Sequence, residues 1–135
     1  MESSAEQHEL TEFCPLFHRA IELVGRRWTG SILRALITGE HRFNELLAVI
    51  PGLSDRLLAE RLRELEETGL VLREVDPGPP LHVSYSVTEK GRDLRDALYA
   101  LGVWAEKWIA ARGEACELTE AGLATARPAR ARGPR

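Results

Sequence analysis

Between Phe43 and Gly69 the apolar residues fall on two helical stripes separated by a Pro-Gly pair. Phe43, Leu46, Leu47 and Ile50 recur at i, i+3, i+4 and i+7, and Pro51-Gly52 cannot continue that helix. Ser54 stands where an N-cap belongs, its hydroxyl placed to accept from the open N–H groups of the next turn. Leu58, Leu62 and Leu65 give the second helix its buried stripe, and Gly69 ends it as a C′ residue. The spacing predicts a helix-turn-helix. Arg56, Ala59, Glu60 and Arg63 fall on the face opposite the core, and Arg61 on its flank, with its stem along apolar surface and its head towards a phosphate. In a major groove, Ser54, Asp55 and Arg56 of the first turn lie nearest the base edges, where an arginine can bond guanine O6 and N7 together. Taken alone, the same helix reads equally well as a solvated amphipathic surface.

The residues after Gly69 favour the DNA reading. Val71–Val75 and His82–Val87 alternate as two strands around a Pro/Gly-rich tip, with Val71, Arg73 and Val75 on one face of the first and Val83, Tyr85 and Val87 on one face of the second. A hairpin directly after a recognition helix makes a winged helix-turn-helix, and its cationic candidates for the phosphate backbone are Arg73 and His82. Upstream, Phe17, Ala20, Ile21 and Val24 form one helical stripe ending at Gly25; Trp28, Ile32, Leu33, Leu36 and Ile37 form another ending at Gly39. Both are expected to pack behind the recognition helix, with Trp28 as a core aromatic. The fold class is therefore mainly α with a small β-hairpin.

Downstream, Thr88 reads as an N-cap for a single helix from about Glu89 to Arg112, roughly 36 Å long. Its stripe of Leu94, Leu98, Leu101, Ala105 and Trp108 is widened by Ala97, Val103, Trp104 and Ile109 beyond what one small domain can cover. The same helix of a second copy is the economical partner. Phe17, Leu98, Leu101, Trp104, Ala105 and Trp108 are the expected dimer contacts, with the two tryptophans as anchors. A two-fold dimer would set its recognition helices about one DNA turn apart. A cleft lined by Trp104, Trp108, Phe17 and Leu98 could also hold an apolar small-molecule effector.

Composition confines these expectations. The chain has 135 residues, 44% apolar and 29% charged, which suits one ordinary globular domain. No run approaches the length of a membrane span, and the start MESSAEQHELTE lacks the basic and apolar regions of a signal peptide, so a cytoplasmic protein is expected with no membrane partner. The net charge of −3 divides as −4 over residues 1–13, zero over 14–112 and +1 over 113–135. A neutral core is no indiscriminate DNA coat, so the DNA face is a local patch drawn from Arg26, Arg27, Arg34, Arg42, Arg56, Arg63 and Arg73, of moderate affinity and marked salt dependence. The scattered His8, His18, His41 and His82 and the absence of C-x-x-C call for no metal. Without a phosphate loop or a G-x-S-x-G elbow no cofactor or enzymatic activity is expected. The neutral core also suits a second reading, a winged helix that docks proteins without reading DNA.

The ordered motifs resemble those of the HxlR-type regulators of bacterial transcription. They are the early CP, the G-x-x-W of Gly25–Trp28, the RFNEL of Arg42–Leu46, the PG-x-S of Pro51–Ser54, the LRELE of Leu62–Glu66 and the YSVTEKG of Tyr85–Gly91. The likeness spans roughly Cys14 to Arg112, leaving residues 1–13 as a flexible acidic segment and 113–135, with its Ala/Arg/Pro/Gly run, as a disordered tail. It implies a homodimeric winged helix-turn-helix that binds a palindromic double-stranded operator, often as a repressor and sometimes as an activator. Where many such regulators carry arginine on the wing this chain has His82, which weakens the implied wing contact. Regulators with the early CP include sensors of oxidants and electrophiles, so Cys14 inherits that role as a candidate. Independently, Cys14 precedes Pro15 as an N-cap precedes an N1 proline, and the helix dipole there favours a thiolate. A partly buried, unreactive thiol is the alternative. Cys116 stands beyond the resemblance.

Overall fold

The computed structural model describes Leu10 and residues 12–110. Cys116, the tail from 113 to 135 and most of the acidic start lie outside the described residues. The elements run α1 (Pro15–Val24), α2 (Thr29–Ile37), β1 (His41–Arg42), α3 (Phe43–Val49), α4 (Asp55–Glu67), β2 (Val71–Asp76), β3 (His82–Val87), α5 (Glu89–Arg92) and α6 (Arg95–Trp108).

The core forms where the predicted stripes meet. Ile32, Leu33 and Leu36 of α2, Leu46 of α3 and Leu58, Leu62 and Leu65 of α4 are all at most 1% exposed. Leu70, Val71, Tyr85 and Val87 close one side of this cluster and Leu98 of α6 another. Trp28 packs on its edge rather than within it. Burial of so many branched side chains fixes α4 by its inner face and leaves the outer face to solvent.

The hairpin joins a three-stranded antiparallel sheet in the order β1-β3-β2. The register places Val71 opposite Val87, Arg73 opposite Tyr85 and Asp76 opposite His82. The third strand, β1, was not expected: His41 and Arg42 pair with Tyr85 and Ser84. Two residues carry no period of their own, and only the distant partner strand makes them a strand.

Three expectations need correction. The helix predicted from Glu89 to Arg112 is broken into α5 and α6, because the chain tightens at Asp93 and Leu94, where the Leu94 N–H reaches back to Gly91 O at 3.1 Å. Gly91 lies so close to Leu70 that a Cβ there would collide with the Leu70 carbonyl oxygen. The contact anchors α5 against the end of the segment that leads into β2. Secondly, α1 does not pack behind the recognition helix, since none of its residues is buried. Only Leu23 and Val24 at its end touch the core. Thirdly, Leu98 is 8% exposed and belongs to the protomer's own core, so it is neither an available dimer contact nor part of an open effector cleft.

The expected dimer surface is otherwise open. Phe17 and Ile21 of α1 are 61% and 49% exposed, and Leu101, Trp104 and Trp108 of α6 are 62%, 54% and 57% exposed. Ala105 is half-buried between them along the helix.

Candidate nucleic-acid interface

The turn between α3 and α4 is built as the sequence implies. Gly52 adopts φ +88°, a left-handed conformation that glycine takes without strain, and a Cβ there would stand 3.3 Å from Trp28 Cη2. Ser54, at φ −88° and ψ 159°, caps α4 by accepting from the Leu57 N–H at 3.1 Å. The far end is closed by Gly69 at φ +81° and by two donors from the following segment. Thr88 Oγ1 donates to Gly69 O at 2.6 Å, and Lys90 Nζ donates to Thr68 O at 2.7 Å. The lysine charge there complements the negative end of the helix.

On α4 the outward residues are those read from the sequence. Ser54, Asp55, Arg56, Ala59 and Arg63 are exposed, and the Glu60 side chain is 46% exposed. They run about 14 Å along the helix, polar except at Ala59 and backed by leucines. Two arginines and two carboxylates give it donors and acceptors suited to base edges.

Arg61 departs from expectation. It is 8% exposed, and its Nε donates to Arg27 O at 2.9 Å. Its Nη1 lies 3.4 Å from Glu64 Oε2 and 3.6 Å from Glu60 Oε1. The flank position turns its head towards the α1–α2 linker instead of towards a phosphate.

The arginine pool divides in the same way. Arg26 forks onto Glu64, Nε to Oε1 at 2.9 Å and Nη2 to Oε2 at 3.1 Å. The hydrogen bond to Glu64 and then its charge hold the Arg26 guanidinium above its ordinary pKa. Arg27 sits over the Trp28 ring, 5.3 Å from its centroid. Arg34 turns Nε and Nη2 inward, buried and without a hydrogen-bond partner among the described residues. What remains outward is Arg42, Arg56, Arg63 and Arg73. These do not form one continuous row. In the sheet Arg42 shares a face with Ser84 and Glu74, whereas Arg73 shares the other with Tyr85 and His41. His82 is half-buried at the tip opposite Asp76. Beyond it Leu81 is 63% exposed, so the wing tip is apolar and acidic more than basic.

Cys14 caps α1, its Sγ accepting from the Phe17 N–H at 3.4 Å, and is half-buried beside exposed Phe13 and Phe17. Sequence reasoning missed Arg26, Glu64, Thr88 and Lys90 as groups that hold the recognition helix. Arg26 and Glu64 are 38 positions apart, and no local period signals the pair. Among the described residues no helix is long and apolar enough to cross a membrane, and no group of three or more His, Cys, Asp or Glu side chains could hold a metal.

Comparison with known proteins agrees with this geometry. The family described as HxlR-like helix-turn-helix matches residues 23–113. The chain is 42% identical over 99 residues to the HTH-type transcriptional regulator YvaP of Bacillus subtilis strain 168, itself uncharacterized, covering 73% of this chain and 92% of that one. It is 39% identical over 104 residues to the HTH-type transcriptional regulator YodB of the same strain, covering 77% and 93%. The reduced form of YodB superposes with a TM-score of 0.65 at 41% identity over 71% of this chain and 94% of that one. The redox regulator HypR in its oxidized form does so at 0.65 and 37% identity, over 70% and 96%. YodB has also been solved bound to quinone, at a TM-score of 0.62 and 39% identity over 70% and 100%.

Proposed function

Since the chain belongs to the HxlR-like helix-turn-helix family of transcriptional regulators, we propose that it binds a palindromic operator as a cytoplasmic homodimer and represses from it. The observation that carries this reading is the split character of α4. Leu58, Leu62 and Leu65 are at most 1% exposed, while Arg56, Ala59 and Arg63 face solvent. The helix is thus fixed on one side and entirely presented on the other, with its capped N-terminus at the end that enters a groove. Arg42 and Arg73 add phosphate contacts from two sides of the sheet, and His82 a weaker one.

A second copy covers the apolar faces of α1 and α6, with Phe17, Leu101, Trp104, Ala105 and Trp108 in the seam. Two recognition helices then supply together the affinity that one neutral domain lacks. Cys14 is the candidate sensor: its thiol caps α1, so oxidation or alkylation removes the Phe17 contact at the start of a helix in that seam. Relatives described as a redox regulator and as quinone-bound support an oxidant or electrophile as the effector.

Arg63→Ala tests the reading face. We expect operator binding to weaken by about 1–3 kcal/mol with dimerisation unchanged. Unaltered operator affinity in both Arg56→Ala and Arg63→Ala removes this face from DNA recognition.

A further inference from the structure

The short linker between α1 and α2, Gly25–Trp28, touches the helix-turn-helix at three places. Arg26 forks onto Glu64 of α4 at 2.9 and 3.1 Å. The Arg27 carbonyl accepts from Arg61 Nε of the same helix at 2.9 Å. The Trp28 ring lies against Gly52 of the turn, close enough that any side chain at 52 would press on it. Trp28 itself holds φ +77°, a left-handed conformation costly for a tryptophan, so the surrounding contacts must fix it. Since α1 buries none of its own residues and only Leu23 and Val24 at its end pack against the core, this linker carries its polar ties to the DNA-facing half of the protein.

We propose that Arg26 is a positioning residue: through its forked bond to Glu64 it sets the recognition helix relative to α1, and so fixes the spacing at which a dimer presents its two reading faces. This rests on the reading that α4 contacts DNA and α1 lies in the dimer seam. A planar guanidinium on a carboxylate fixes angle as well as distance, which a single-point contact does not. Glu64 is further held by Arg61 Nη1 at 3.4 Å, so the pair belongs to a network anchored in the core.

The rival role for Arg26, 50% exposed and on the same protein, is a direct phosphate contact that Glu64 merely parks. The two roles demand opposite signs from one substitution. Glu64→Gln breaks the fork and loosens α4 if Arg26 positions it. If Arg26 serves phosphate, the same change releases it, removes a repelling charge and tightens binding.

The test uses the full chain and a duplex carrying the operator recovered from genomic fragments. Arg26→Gln, Glu64→Gln and the double variant are titrated at several salt concentrations, against the natural operator and one with a base pair inserted between half-sites. We expect each single change to weaken binding about three- to tenfold and the double to be no worse than the weaker single, as for coupled residues. The salt slope stays at the wild-type value, and the preference for natural over lengthened spacing shrinks. Arg26→Gln keeps the Arg61–Glu64 contact, so it remains informative should Glu64→Gln fold poorly.

Tighter binding by Glu64→Gln, or a salt slope reduced by about one in Arg26→Gln, overturns the proposal in favour of phosphate contact. A lowered thermal midpoint with affinity and spacing preference unchanged overturns it in favour of a merely structural pair. If Arg63→Ala weakens binding while the clamp variants behave as wild type, the clamp falls and the DNA reading stands. If Arg56→Ala and Arg63→Ala also bind as wild type, the DNA reading falls with it.

Discussion

Removing the Trp104 side chain separates the dimer from the fold. Trp104 is 54% exposed in the protomer, so on the order of 130 Å² of a large aromatic is open to solvent. Covered by a second copy at about 25 cal/mol per Å², that surface contributes about 3 kcal/mol. Two-fold symmetry counts it twice, giving a ceiling of about 6 kcal/mol per dimer. Imperfect coverage and the ordering of side chains reduce the return, so we take about half, or a dimer constant weakened roughly 100-fold. The protomer should lose little, since substitutions at exposed positions usually change stability by about 0.5 kcal/mol or less. Sedimentation equilibrium over a concentration series reads the dimer constant of wild type and Trp104→Ala directly. A constant within about threefold of wild type would refute the burial argument, as would a wild-type chain that remains monomeric throughout.

Other substitutions probe separate parts of the account. Leu58→Ala, at a position 0% exposed, should cost about 2–5 kcal/mol in urea unfolding, because it opens a cavity under the recognition helix. Gly52→Ala should lower stability by more than about 1 kcal/mol, from the positive φ and the approach of Trp28, and should weaken operator binding by tilting the turn. Cys14→Ala should leave operator affinity of the reduced protein near wild type and abolish the response to diamide in a gel-shift titration; a retained response excludes Cys14 as the sensor.

Much of the exposed outer face of α4 is legible in the sequence because its causes are local. Ser54 as a cap, Gly52 and Gly69 as turn residues and the leucines at Leu58, Leu62 and Leu65 act within one or two turns of the chain. The outward set Arg56, Ala59 and Arg63 follows from their spacing alone. What escaped depends on distant partners. The strand at His41–Arg42 exists only through β3, and Arg61 turns inward because a carbonyl 34 positions earlier accepts its Nε–H. The wide stripe of α6 is visibly apolar in the sequence, but periodicity does not divide it between the protomer's own core, which takes Leu98, and the open surface, which keeps Leu101, Trp104 and Trp108. The tightened turn at Asp93 and Leu94 carries no proline to mark it, and the seat of Gly91 on Leu70 just before it is again a contact between segments far apart in sequence.

Selection of bound genomic fragments by the purified chain tests the central claim, that the outer face of α4 reads a two-fold operator. Half-sites in inverted repeat about one helical turn apart should be enriched, and Arg63→Ala should relax the preference at one base position in each half-site. Fragments enriched no further than random sequence, or a site without two-fold symmetry that both arginine variants select as well as wild type, would contradict it.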